Sequence, residues 1–154
     1  MLRVVTSCLK VSLALLLMTA ANAQEPPREY LIRLGASAFP ASLRAQGITP
    51  IHHSGKVWAV RTSDEKTLRQ TTEEVTPATS VIIELQPNEL QDNAQGVIRA
   101  VAAADGLLTR RYHSISAVSA IVPTSKIGDL QKLPGVKRIH KDHSHSALHL
   151  APES

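Results

Sequence analysis

Glu73-Glu74-Val75-Thr76-Pro77-Ala78-Thr79-Ser80-Val81-Ile82-Ile83-Glu84-Leu85, residues 73–85, lies where two similar halves of the chain meet. Its C-terminal part, Ser80–Leu85, is an apolar, β-branched run that predicts a strand, stopped near Pro87. Its N-terminal part leaves two options: Glu74-Val75 supplies the last strand of the first half, or that strand is missing. We place the unit boundary between residues 76 and 77.

Downstream, Asn88 is a candidate cap for a helix reaching about Ala104, because Leu90, Ala94, Val97, Ile98 and Val101 recur at helical spacing. Asp105-Gly106 ends it. Leu107–His113 and Val118–Val122 read as strands around a turn, and Thr124-Ser125 opens a short helix through Leu133. Gly135 breaks that helix, and Val136–Ile139 is the last strand. Upstream, Tyr30–Leu34 reads as a strand, Pro40–Gln46 as a short helix, Ile48–Ser54 as an edge strand carrying Pro50, and Val57–Arg61 as a strand. Ser63 is positioned to cap a following helix, with Asp64 and Glu65 in its first turn.

The second half thus runs strand, helix, strand, strand, helix, strand. This order predicts an α+β fold, a ferredoxin-like βαββαβ sandwich with two helices on one face of an antiparallel sheet. The first half repeats the pattern in a shorter, degenerate form. Leu31-Ile32-Arg33-Leu34 matches Ile82-Ile83-Glu84-Leu85, and His53-Ser54 matches His113-Ser114.

Composition narrows the setting. Arg3 and Lys10 precede and flank the apolar run Val11–Met18, and Ala21-Asn22-Ala23 offers small residues to a signal peptidase, so residues 1–23 read as a secretory signal cleaved after Ala23. The run is too short to span a bilayer, so no membrane association is expected once it is removed. The one cysteine, Cys8, lies inside it. The mature chain therefore has no thiol chemistry, and the compartment is the periplasm or the exterior. Without Arg3 and Lys10 the 17 basic residues fall to 15 against 13 acidic ones, a net +2. That balance does not argue for a nucleic-acid partner.

Residues 80–148 resemble the propeptides of subtilisin-like serine proteases and their stand-alone relatives, the propeptide-like protease inhibitors. The likeness rests on Val81–Leu85 as the opening strand, on Leu108–Ile115 as the second strand and its turn, and on Val118–Pro123 where the family has GFAAxLP. Its most specific piece is Leu130–Ile139, with Pro134-Gly135-Val136 leading into the last strand. The resemblance implies a domain, residues 77–142, preceded by a degenerate propeptide-like repeat, residues 24–76, and followed by a flexible tail, residues 143–154. It further implies an inhibitor, or a folding helper acting in trans like a detached intramolecular chaperone. Its sheet would pack on a subtilisin-like protease and its tail would occupy the substrate cleft. With the sequence ending at Ser154, no attached protease domain is expected, as for a free inhibitor.

On this likeness His145, Ser146, Ala147 and Leu148 would enter the cleft, with Leu148 beside the scissile bond. His140, Lys141 and Asp142 would contact the protease at docking, although the family usually carries acids here and only Asp142 keeps one. β-Augmentation would supply main-chain hydrogen bonds, and alternate pockets the selectivity.

Two other functions compete. One is a non-inhibitory periplasmic interaction domain. The other is metal binding by the His-rich tail through His143, His145 and His149. His52-His53 reads as an exposed strand end. No cofactor is implied, and an enzyme is not expected: the chain has no GxSxG, no HExxH and no glycine-rich phosphate loop. Glu73-Glu74 and Asp64-Glu65 are neighbours in sequence and read as solvated charges.

Overall fold

The computed structural model describes residues 25–87 and 90–143. Element order is β1 (Arg28–Arg33), α1 (Ala41–Ala45), β2 (Thr49–Ser54), β3 (Val57–Thr62), α2 (Glu65–Thr71) and β4 (Val75–Leu85). Then come α3 (Leu90–Ala103), β5 (Leu107–Arg111), β6 (Ala117–Pro123), a 3-10 turn (Thr124–Lys126), α4 (Ile127–Gln131) and β7 (Val136–Lys141). The expected signal segment, residues 1–23, and the cap candidate Asn88 fall outside the described residues.

Local chemistry sets the boundaries. The β2–β3 hairpin turns at Gly55, whose φ of 57° favours a residue without a Cβ. α2 is capped by Asp64 rather than Ser63: the Asp64 carboxylate accepts from the Thr67 backbone N–H at 2.9 Å. The Thr67 hydroxyl also donates to that carboxylate, and together these bonds hold it below the usual carboxylate range. α3 ends at Asp105, in the left-handed region at φ 61°. Gly106 follows because a Cβ there would lie 3.0 Å from methyls of Val101 and Val122.

All seven strands join one antiparallel sheet. Its order is β2-β3-β1-β4-β6-β5, with β7 also paired to β4. β4 lies in both halves of the molecule. Its residues Val75–Ala78 pair with β1, residues Val81–Leu85 with β7, and residues 78–84 with β6 on the opposite edge. The strand thus begins at Val75, earlier than the expected Ser80. Pro77 is tolerated because β6 pairing begins only at Ala78, so this part of β4 needs partners on one edge alone.

This pairing overturns the expected ferredoxin-like sandwich with two helices on one face of its sheet. The strands form one seven-stranded, nearly closed, barrel-like sheet, with four short helices among the described residues. Two apolar clusters hold the helices to its outer face. Leu43 and Leu68 pack with Tyr30, Ile32, Trp58 and Val60, while Val97, Val101 and Leu130 pack with Val81, Ile83, Val118 and Val122.

The inner face buries a third cluster of Leu31, Ala59, Ala78, Leu107 and Ile121, with Ile51 against it. Ile51 and Leu107 come from β2 and β5, the two ends of the strand order, and these strands touch. Right-handed twist curls the sheet, and irregularities at Pro50/His52 and Leu108/Arg110 add bend near its two ends. Small Ala59 and Ala78 leave room for that curl. An open-faced sandwich would leave this face to solvent or to a partner.

Two measurements check this account. Ile121 is fully buried in the inner cluster, so Ile121→Ala should lower unfolding free energy by about 2–5 kcal/mol in denaturant titration. A loss within about 0.5 kcal/mol would mean that the face is open. The native Asp64 carboxyl titrates below its unfolded value, so its contribution is complete above the ordinary carboxylate range and fades as pH falls through the native value. Asp64→Ala should therefore lower the melting temperature at neutral pH, and the difference from wild type should shrink in acid.

Candidate functional site

β1 and β7 approach the same edge of β4 from opposite ends, and the ladder breaks where they meet. Asp142 N–H donates to Ser80 O at 2.8 Å, the last backbone bond on the β7 side. On the other side Glu29 stands opposite Ala78. The Ser80 N–H therefore has no strand carbonyl to meet. It donates to Glu29 Oε2 at 2.7 Å, and the Ser80 hydroxyl donates to the same oxygen at 2.8 Å. Arg61 on β3 donates to Glu29 Oε1 at 3.1 Å. With 15% of its side chain exposed, Glu29 acts as a charge-assisted splice between two collinear strands.

A polar cleft of about 360 Å³ opens over this splice. Arg28, Tyr30, Arg61, Thr79, Lys141 and Asp142 are among its walls. The Tyr30 hydroxyl donates to Glu65 Oε2 at 3.1 Å. Burial, and then that bond, raise the Tyr30 pKa. Glu65 is held low, first by its bond from Arg69 and then by Tyr30. The Thr79 and Thr124 hydroxyls bond at 2.8 Å on the outer rim. Arg28, Arg61 and Lys141 balance Glu29, Glu65 and Asp142 in this wall, and Arg61 pairs with Glu29 within it, so the cleft is built for polar contact.

The residues expected to dock are gathered around it. Lys141 and Asp142 line the cleft. His140 is one step away, its Nε2 at 2.8 Å from Glu84 Oε1 across the β4–β7 pair. His143 is exposed where the described chain leaves β7. The proposed cleft-binding residues His145, Ser146, Ala147 and Leu148, and the metal candidate His149, lie outside the described residues. Among the described residues no cluster of three or more His, Cys, Asp or Glu side chains is placed to hold a metal ion. Of the pair expected to be an exposed strand end, His53 is exposed and its ring stacks on Trp58 at 4.2 Å, whereas His52 is half-buried.

Reading the sequence missed Glu29, Arg61 and Ser80. A partial signal existed: Glu29 and Arg61 sit on the same face as Leu31 and Ala59, two residues from each along their strands. Only the β1–β4 register brings Ser80, far along the chain, to that carboxylate. Trp58 was also missed as a buried donor; among the described residues its Nε1 meets no hydrogen-bond partner.

No known protein family, curated protein or solved structure matches this chain.

Removing the splice should be costly. Glu29→Ala leaves the Ser80 amide, the Ser80 hydroxyl and Arg61 each short of an acceptor, for an expected loss of about 2–4 kcal/mol in denaturant unfolding. Glu29→Gln keeps one carbonyl acceptor and should lose less. Equal losses would show that the bonds to Ser80 add little.

Proposed function

We propose that the protein is a secreted inhibitor, or a folding helper in trans, of a subtilisin-like serine protease. It acts through the segment that follows β7. The observation that carries this reading is the anchoring of β7: it is paired along β4, pinned by the Asp142–Ser80 bond, and ends at exposed His143. A segment that enters a cleft as an added strand needs a rigid, accessible base, because ordering a loose one costs affinity. The likeness of residues 80–148 to propeptide-like inhibitors supplies the partner class.

The docking mode must differ from the one the likeness implies. Much of the face opposite the helices, which would pack on the protease, is closed around Leu31, Ala59, Ala78, Leu107 and Ile121. Contact then falls to the end of β7, with His140, Lys141 and Asp142 at the rim and His145–Leu148 in the cleft. The closed face also favours a second reading, a non-inhibitory interaction domain of the periplasm.

The test compares residues 24–154 with a form ending at His143, which keeps the Asp142–Ser80 bond. Both are titrated against a broad-specificity subtilisin-like protease, with intact mass recorded. The longer form should inhibit at least about tenfold more tightly, with slow cleavage after Leu148. Equal inhibition by both forms, or rapid digestion, would overturn the cleft register. No inhibition by either, with the fold intact, would favour the interaction domain.

A further inference from the structure

We infer that the outer edge of β7 is a docking site for an extended, acidic segment of a partner protein, which adds to the sheet as a further strand. Among the described residues β7 pairs with β4 alone, so its second edge carries no strand. The Ile139 N–H points away from β4 and donates to the Gln131 side-chain carbonyl at 3.1 Å. Alternation along an antiparallel ladder turns the main chain of Lys141 the same way. Gln131 thus stands where the carbonyl of an incoming strand would stand, and it is a side chain that can swing aside.

Charge selects the occupant. From Ile127 to Asp142 the chain carries Lys132, Lys137, Arg138 and Lys141 against only Asp129 and Asp142. All four cations are exposed, and among the described residues none is in an ion pair. Glu84, the acid facing β7 from β4, is already bonded to His140. A second copy is a poor occupant, because edge-to-edge pairing would bring the same basic strand against itself. An acidic strand gains ladder bonds and ion pairs together. This inference does not rest on the protease reading, and its test uses no protease.

The probe is a capped seven-residue peptide alternating Glu with Val and Thr. It is titrated by fluorescence anisotropy into residues 24–154 and into the form ending at His143. Two controls accompany it: the same peptide with methylated backbone nitrogens, and its lysine counterpart. The acidic peptide should bind both protein forms and weaken as salt rises. Backbone methylation should cost at least about tenfold, because it keeps the charge and blocks the ladder. Gln131→Ala should tighten binding by freeing the Ile139 N–H, and Lys137→Glu with Lys141→Glu should transfer preference to the lysine peptide. Undiminished binding of the methylated peptide would reduce the edge to a charged surface and overturn the inference. So would absence of binding, or binding only to the form ending at His143, which would assign the edge to the chain's own tail.

Discussion

An 11-residue strand in the middle of a sheet has more backbone to satisfy than one short neighbour can reach, and β4 meets this by sharing one edge between β1 and β7. Two strands laid end to end leave a seam, and a buried N–H at a seam costs as much as a lost hydrogen bond. Glu29 closes it. Its carboxylate takes the Ser80 N–H and hydroxyl on one oxygen and Arg61 on the other, so three elements of the sheet converge on one side chain. A neutral acceptor would meet the same geometry with weaker bonds.

The shared strand also explains the curl. Because β4 carries β1 on one part and β6 and β7 on the other, the two halves are one sheet by construction and cannot drift apart as separate sandwiches. Twist accumulated over six strands in order then brings β2 and β5 together, and the apolar residues facing inward fill the enclosed space. The helices take the outer face, where each half has its own cluster. Inside, a single cluster spans both halves.

Much of the local structure was legible in the sequence. The α3 face of Ala94, Val97 and Val101, the turn at Gly55 and the stop at Asp105-Gly106 each follow from periodicity or backbone chemistry read one segment at a time. The closed face was also written there, in a form that pattern-matching passed over. Leu31-Ile32 and Ala120-Ile121-Val122 are unbroken apolar runs, and every residue of β6 is buried. An open-faced sheet should alternate polar with apolar residues, whereas a run without alternation means cover on both faces. What no local reading supplies is register. That Glu29 meets Ser80, and that the strand expected from Ser80 already begins at Val75, are facts of pairing between distant segments.

The seam brings two chain ends together for a geometric reason. Because β7 and β1 meet end to end, the chain leaving β7 at Asp142 and the chain entering β1 at Arg28 reach the surface at one polar cleft. The segment that would enter a partner's cleft therefore departs beside the start of β1, from the end of a strand whose outer edge is basic and carries no further strand among the described residues. A partner that engages the tail and one that adds to the β7 edge would approach the same corner, and each would bury part of what the other needs. If both modes exist, they compete. Basic β7 then favours acidic strands at low ionic strength, while the apolar Leu148 contact, which salt screens little, gains relative weight as ionic strength rises.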